Sequence, residues 1–394
     1  MRTEVIQNIS YLQPEKWETL TGGSFYASYA WMCYQQTDPA SESRYVLVWD
    51  DSGELLAATP VYLVEHEASA RYDPACLFPQ LPQHGGGAPA VRQQRTLLVG
   101  NRRGYANRLL VKPGRSADVA LRLLLAAVNE IAAEEANERA WWLYLTEDDI
   151  VWLSKVGTGM VLSPWLLAAD CVVTLPGESF DEYLAMLSKN ARRQVRKDRV
   201  TFAAAGYKCT TLRLDECWRQ VSPLIASHQR WHGHISSDEI IRDLMHAQAM
   251  TAGAHSRVYG CSNAHQLVAC AITFATSAEL VARAFGFDHA RGHSACEYFE
   301  LMYYRPIEYA YQHGMQRLHL GIGTLQAKIR RGARVRLLWG IATGSRIHPS
   351  EAGIAETHNA AYWRVIVEQL GNQCPALIPS VLLAAQELRR SAVQ

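Results

Sequence analysis

The sequence lacks the features that organise secreted and membrane proteins. Its nine cysteines are odd in number and include no C-x-x-C pair, and most lie in apolar segments, where a thiol behaves as a small hydrophobic group. No apolar run approaches the length of a membrane span, and the N-terminal segment MRTEVIQNISYLQPEKWETL has no apolar signal-peptide core. We expect a soluble, cytoplasmic protein of a reducing compartment, without membrane insertion.

The chain also lacks a strong net charge and the motifs of covalent or metal catalysis. Its 39 Lys and Arg against 38 Asp and Glu give a formal charge of +1, so any site for a polyanion must be local. There is no G-x-S-x-G motif and no cysteine with an obvious paired base, which argues against a covalent intermediate. The histidine-rich string SHQRWHGH lacks the H-E-x-x-H pattern, so we expect no metal site.

What the sequence does contain is a plan that occurs twice. A chain of 394 residues with 48% hydrophobic content favours two domains. In each half, short β-type runs precede an amphipathic helix and a further strand; the helices are predicted at 116–138 and 296–313, and the strands at 141–145 and 317–321. This pattern predicts a mixed α/β (α+β) fold of two related domains with mostly antiparallel sheets flanked by helices.

We place the domain boundary near residues 165–172, which gives domains 1–168 and 169–394. One large irregular α/β domain is the alternative. Residues 73–89 are rich in Pro and Gly and predict a long loop that covers a cleft. After Gly344 the sequence predicts a loop to residue 358 and then two closing helices, NAAYWRVIVEQLG and LIPSVLLAAQELRRSA.

A basic helix is predicted over residues 175–199. Ser179 is its expected N-cap, because Glu182 follows at the capping-box spacing. One face carries the cations Lys189, Arg192, Arg193, Arg196, Lys197 and Arg199. Such a run is often just a solvated face; the functional alternative is contact with phosphates or an RNA backbone, since neutralising several phosphates needs clustered Lys and Arg.

The stretch from Cys296 to Arg336 contains a helix, a strand, a glycine loop and a basic run. A glycine turn lets backbone N–H groups face a ligand, and Lys328, one turn further on, can stabilise an oxyanion or a leaving oxygen. The substrate-binding candidates here are Gly321, Gly323, Thr324, Arg330 and Arg331.

Two further groups of residues are candidates for the chemistry. His228 and Trp231 are predicted to line the acceptor-binding wall. Asp288, His289 and His293 follow a predicted strand, and one of them could take the proton from an attacking amine. A turn Asp and helix-capping residues are the alternative for these three, and Glu297 and Glu300 are interpreted as helix N-terminal charges.

Several of these segments resemble the Fem-type aminoacyltransferases and their acyltransferase relatives of the GNAT superfamily. The resemblance rests on GSFYASYAWM, on FDEYLAMLSKNARRQVRKDRVTFAAAGYKCTTL, and on FGFDHARGHSACEYFELMYYRPIEYAYQHGMQRLHLGIG followed by Gln326, Ala327 and Lys328. It spans most of residues 20–345 and implies tandem GNAT domains. It also implies that Lys328 and the loop at Gly321 and Gly323 serve acyl transfer, with Arg330 and Arg331 near any phosphates. Ala327 stands where the family usually has an aromatic residue.

The resemblance implies direct attack of an acceptor on a donor ester or thioester, with no tightly bound cofactor. Our leading interpretation is an aminoacyltransferase that moves an amino acid from aminoacyl-tRNA to an amine, hydroxylamine or hydroxyl of a small molecule, as in natural-product or cell-wall precursors. An acyl-CoA-dependent N-acyltransferase is the runner-up, although the only match to a CoA pyrophosphate loop, Gln83 to Ala88, is followed by Pro89 and no clear helix. A non-catalytic binding module is the third possibility. Acceptor identity and oligomeric state stay open.

Overall fold

The computed structural model of the chain describes residues 1–81, 95–135, 137, 139–157, 163–234, 237–264, 266–291, 294–344 and 351–371. These residues form two compact units. The first contains Met1–Gly22, Tyr26–Asp170 and the chain from Val335 onward, and the second contains Gly23–Phe25 and Cys171–Arg334. Among the described residues, no helix is both long enough and apolar enough to cross a bilayer.

The first unit contains a strand whose ten residues are all buried, Leu55–Val64, and a long amphipathic helix. Its elements as far as the first division of the chain are β1 Arg2–Ile6, α1 Pro14–Thr21, α2 Tyr29–Gln36, β2 Ser41–Trp49, β3 Leu55–Val64, α3 Pro74–Leu77, β4 Thr96–Val99, β5 Leu110–Val111, α4 Ala117–Glu134, β6 Ala140–Leu145, α5 Glu147–Val156 and β7 Trp165–Thr174. Helix α4 buries Leu121, Leu124, Leu125 and Val128, the spacing of one helical face.

The second unit is a sheet with helices before and between its strands. Its elements are α6 Phe180–Met186, α7 Lys189–Ala204, β8 Lys208–Leu212, α8 Leu214–Trp231, α9 Asp238–Ala252, β9 Ser256–Asn263, β10 Gln266–Ala275, β11 Glu279–Phe287, α10 Glu297–Phe299, a π-helical turn Glu300–Tyr304, α11 Arg305–Gln312, β12 Arg317–Ile322 and α12 Leu325–Ile329. The strand order is β12-β11-β10-β9-β8. Strands β11 and β12 are parallel, and the other neighbours are antiparallel.

The chain then returns to the first unit through β13 Arg334–Thr343 and α13 Glu351–Leu370. Strand β13 pairs antiparallel with β6, so the first unit has the order β1-β2-β3-β4-β6-β13-β7, with β5 on β3. Helix α13 is held by a buried ion pair, in which Arg139 donates to both carboxylate oxygens of Glu351 at 2.9 and 2.6 Å. The predicted division gave residues 335–394 to the second domain, whereas these contacts belong to the first unit.

Both units follow the plan that the sequence predicts. In the first, β2, β3 and β4 are antiparallel neighbours, and α4 leads to β6, which lies parallel to β4. In the second, β9, β10 and β11 are antiparallel neighbours, and the helical segment 297–312 leads to β12, which lies parallel to β11. The repeated mixed α/β plan is therefore confirmed.

Two predicted elements differ in detail. The single helix over 175–199 is two helices, because the Ser188 side chain accepts from the Ala191 N–H and begins α7 anew. The Ser179 N-cap does begin α6. The predicted loop 344–358 becomes helical at Glu351. Residues 82–89 of the predicted long loop, with the QHGGGA string, and the second closing helix lie outside the described residues.

Candidate functional site

The carboxyl ends of β11 and β12 lie at one edge of the second unit's sheet. The two strands pair over only three positions, 279–281 with 317–319. The register between β10 and β11 shifts, because Thr273 pairs with Ala282 and Ile272 with Ala284, which makes Arg283 the extra residue of a β-bulge. His289 follows β11, and the glycine turn follows β12. Ligands of α/β sheets commonly bind beyond the carboxyl ends of parallel strands, so this edge is the candidate site.

The turn after β12 is held by Lys328. Gly321, Gly323 and Thr324 all have positive φ angles, of 67°, 78° and 46°. The Lys328 ammonium donates to the carbonyl oxygens of Gly321 and Ile322, both at 2.8 Å, and the side chain is 4% exposed. Lys328 therefore fixes the turn from the buried side. Its ammonium contacts backbone carbonyls and does not extend to the protein surface.

A buried ion pair lies next to this turn. Asp198 of α7 accepts from Arg331 at 2.6 Å and from the Tyr304 hydroxyl at 2.6 Å through Oδ2, and from Gln194 at 2.7 Å through Oδ1. Arg331 also donates to the Tyr304 hydroxyl at 3.0 Å and to the carbonyl of Ala327 at 3.1 Å. Asp198 and Arg331 are 2% and 5% exposed, so the pair is a desolvated anchor for the end of α12.

Arg331 also contacts the aromatic ring of Phe299. Its guanidinium carbon lies 3.2 Å from the centroid of the Phe299 ring, a stacked cation–π contact. The predicted contact of Arg331 with a ligand phosphate stays a prediction, and its placement here is in the core of the unit.

The cations of α7 divide into two groups. Lys189, Arg193, Arg196 and Lys197 are exposed and Arg192 is half-buried, and none of the five forms an ion pair with another described residue. The first turn of α7 contains no acidic residue, so the cations add to the positive end of the helix dipole. This arrangement costs stability in isolation and favours an anion at the surface of the helix.

Arg199 and Arg330 occupy different surroundings. Arg199 donates to Glu308 at 2.7 Å and lies 3.5 Å from the buried Glu300 carboxylate, beside a cavity of about 390 Å³. Burial raises the pKa of Glu300, against the opposing effect of Arg199 and Arg305. Arg330 is exposed. Of the predicted phosphate contacts, Arg199 is therefore already engaged by carboxylates, whereas Arg330 faces solvent.

His228 and His289 form a hydrogen-bonded pair at the end of β11. His228 Nδ1 lies 2.9 Å from His289 Nε2. Burial, followed by the neighbouring His232 and His289, lowers the pKa of His228 to about 4, and burial also lowers the pKa of His289. Because one nitrogen must accept, at least one ring of the pair is neutral.

The remaining candidates are distributed around this pair. Trp231, 68% exposed, stacks on His289 with ring centroids 4.5 Å apart. Asp288 is half-buried, and its carboxylate accepts from the Ala290 N–H at 3.2 Å, as a turn Asp does. His293 lies outside the described residues. Among the described residues, no group of three or more His, Cys, Asp or Glu side chains is arranged to hold a metal ion.

Two buried carboxylates of this region were missed by sequence reasoning. Asp198 interrupts a basic run, and the signal was its spacing, since it falls with Val195 and Phe202 on the buried face of α7. Glu297 was interpreted as a helix charge, but it is fully buried and accepts from the Tyr207 hydroxyl at 2.7 Å and from the Ala295 N–H at 2.8 Å. No local pattern indicated that contact.

Comparison with known proteins agrees with this architecture. The family model FemAB_like, described as peptidoglycan biosynthesis/recognition, matches residues 102–343. The fold is similar to that of the crystal structure of FemX, with a TM-score of 0.60 and 12% identity over 87% of this chain and 97% of that one. It is also similar to a conserved protein of unknown function from Bacteroides thetaiotaomicron VPI-5482, with a TM-score of 0.56 and 12% identity over 85% and 98%. No match was found among curated proteins.

Each of the two units has the same mixed α/β plan, in which a helical segment leads from an antiparallel meander to a parallel strand. The matched region covers more than half of the sequence, and the chain belongs to the FemAB-like family. In general class it is a peptidoglycan-related aminoacyltransferase or acyltransferase.

Proposed function

We propose that this protein transfers an amino acid from aminoacyl-tRNA to an amine, hydroxylamine or hydroxyl of a small molecule or cell-wall precursor. The single observation that supports a tRNA donor best is the cation stripe of α7, formed by the half-buried Arg192 and the exposed Lys189, Arg193, Arg196 and Lys197. Neutralisation of phosphates by such a stripe gives affinity that depends on backbone charge and not on base sequence. The donor implies a cytoplasmic reaction.

The α7 stripe belongs to the same unit as the glycine turn. The inner face of α7 contributes Asp198, which reaches Arg331 at the end of the turn's short helix, so one helix is anchored to the turn on one side and exposes cations on the other. In the proposed complex the cations hold the RNA, and the turn receives the acyl ester. A peptidoglycan precursor as the acceptor is part of this proposal.

The reaction needs no covalent enzyme intermediate. The acceptor nitrogen or oxygen attacks the ester carbonyl, a new C–N or C–O bond forms, and the ester bond to the terminal ribose breaks. The acceptor proton passes to a base, for which His289 is our candidate beside Asp288, and a proton returns to the leaving ribose oxygen. Charge on the carbonyl oxygen is stabilised at the turn 321–324, whose backbone carbonyls Lys328 holds.

RNA binding by the α7 stripe can be measured by fluorescence anisotropy with uncharged tRNA between 50 and 200 mM salt. Substituting Arg192, Arg193 and Arg196 by Gln should weaken binding and reduce the slope of log K against log salt by about 2 to 3, because each phosphate contact contributes about 0.9.

The matched control replaces three other exposed arginines of the same unit, Arg213, Arg230 and Arg242, by Gln. Each of these already faces a carboxylate, of Asp215, Asp238 and Glu239 respectively. The control should keep the wild-type slope. Equal losses in both triple variants, or wild-type binding that does not depend on salt, would remove the support for a tRNA donor.

A further inference from the structure

The buried position of Lys328 changes what this residue can do. Its ammonium donates two hydrogen bonds, to the carbonyls of Gly321 and Ile322, and the side chain is almost inaccessible to solvent. Two of the three N–H donors of the ammonium are therefore engaged within the turn, and the burial of the side chain keeps the ammonium away from the surface where a ligand would bind. Charged hydrogen bonds to backbone carbonyls are strong, so the resting geometry favours a role through the backbone.

The peptide geometry shows what that role is. No peptide bond between described residues is cis, and in a trans peptide the C=O of one residue and the N–H of the next point in opposite directions. Because Lys328 holds the carbonyl of Ile322, the N–H of Gly323 points away from Lys328. Gly323 is exposed, and a Cβ built on its Cα would meet no atom within 4 Å, so a ligand can approach this residue.

The turn is also held from its far end. Arg331 donates to the carbonyl of Ala327, the residue before Lys328, and is itself fixed by Asp198 and Tyr304. The Tyr183 hydroxyl donates to the carbonyl of Arg331 at 3.0 Å. Every one of these partners is buried, so the short helix α12 has little freedom to turn Lys328 away from the two carbonyls.

We propose that the backbone N–H of Gly323 is the oxyanion donor of this site, and that Lys328, Arg331 and Asp198 are positioning residues that aim it. This inference rests on the proposed acyl transfer. The Gly323 N–H donates a hydrogen bond to the ester carbonyl oxygen as negative charge develops there during attack, while Lys328 keeps its bonds to the carbonyls of Gly321 and Ile322. Removing one well-placed oxyanion donor typically lowers kcat by about 10²- to 10³-fold.

Two measurements on the same set of full-length variants test the proposal. Amide hydrogen exchange, followed by mass spectrometry, reports protection of the peptide that covers residues 320–332. The single-turnover rate at saturating donor reports chemistry apart from binding. The variants are Lys328→Arg, which keeps the charge, Lys328→Gln, which removes it, and Asp198→Asn, which leaves Lys328 intact but weakens its anchor.

The transfer rate should follow protection of the turn and not the charge at position 328. We expect Asp198→Asn to speed exchange in this peptide at least tenfold and to lower the single-turnover rate by about 10- to 100-fold, with donor affinity unchanged. Glu351→Gln, which weakens a comparably buried ion pair in the first unit, should lower thermal stability and leave both readouts unchanged.

Two results would overturn the proposal. One is Lys328→Gln with wild-type protection of the turn and a rate loss of 100-fold or more, which would assign the charge itself to catalysis. The other is Asp198→Asn with rapid exchange and full activity, which would show that the turn geometry is not needed. If the wild-type protein transfers no amino acid, the proposed function fails, and the exchange data still show whether Lys328 and Asp198 hold the turn.

Discussion

At the scale of single residues, the charged groups that matter most here are the buried ones. Lys328, Asp198, Arg331 and Glu297 are all 5% exposed or less, and each meets backbone or side-chain partners within its own unit. Burying a charge is costly unless it is paired and hydrogen-bonded, so such groups are kept where geometry matters. In the proposed function, the exposed cations of α7 contribute to RNA affinity through their number and not through individual contacts.

His228 gives a prediction about pH. Its pKa is about 4 in the folded protein, below the ordinary value, because burial and the nearby His232 and His289 oppose its charge. A lowered folded-state pKa means that the unfolded chain binds the proton more tightly. The stabilising contribution is therefore complete above pH 6.5 and is lost as the pH falls toward 4.

The expected loss of unfolding free energy from His228 is about 1 to 2 kcal/mol over that range, after allowance for its partial exposure. Urea unfolding between pH 4 and 7.5 measures it. His228→Phe should flatten the curve, whereas His313→Asn, at an exposed histidine of the same unit, should keep the wild-type curve. A variant curve as steep as that of the wild type would show that His228 does not titrate in this range.

The residues of the site were only partly predictable from the sequence. The glycine turn and Lys328 were indicated by a local pattern, since glycine, strand end and lysine are close in the chain. The partners of Lys328 were not, because nothing in the sequence says whether an ammonium turns inward to carbonyls or outward to a ligand. Asp198 and Arg331 are far apart along the chain, and their contact depends on the packing of α7 against the segment 299–304.

At the scale of elements, close approach of α8 to β11 sets the position of the His228–His289 pair. A Cβ at Gly286 would lie 2.8 Å from the Ile225 nitrogen and 2.9 Å from the Leu224 carbonyl carbon. These are backbone atoms of α8, so they cannot move aside as a flexible side chain can. Gly286 thus lets helix and strand pack at a distance that no other residue allows.

Gly286→Ala should destabilise the protein by about 1 to 3 kcal/mol, because the added methyl group overpacks a helix–strand contact. Thermal unfolding measures this. Gly353→Ala is the matched control: a Cβ there meets no atom within 4 Å, and replacing Gly by Ala inside a helix contributes up to about 1 kcal/mol of stability. If both variants unfold at the same temperature, the close α8–β11 contact does not limit stability.

Elements with strong periodicity could be predicted from the sequence, and local breaks could not. Helix α4 and strands β6 and β12 lie within a few residues of their predicted positions, because apolar spacing decides them. The break between α6 and α7 escaped prediction because the apolar positions 184, 187, 191 and 195 fit one continuous helix. The start of α7 is set instead by the side chain of Ser188, which caps this helix.

At the scale of the whole molecule, the sequence predicted the repeated plan of the two units but not the return of the chain to the first unit after the second. The plan follows from local patterns that occur twice. The return follows from pairing of β13 with β6, in which Trp339 lies opposite Leu145, and from the ion pair between Arg139 and Glu351. Pairings between segments so distant in sequence are set by the completed sheet and leave no local signal.

The central claim is that this member of the FemAB-like family takes its acyl group from tRNA. The most direct test is to incubate the full chain with labelled aminoacyl-tRNA or labelled acetyl-CoA and a panel of amines, hydroxylamines and cell-wall precursors, and to measure which donor loses its label to an acceptor. We predict acceptor-dependent deacylation of the tRNA, with acetyl-CoA unchanged. Consumption of acetyl-CoA while the tRNA stays charged would contradict the account.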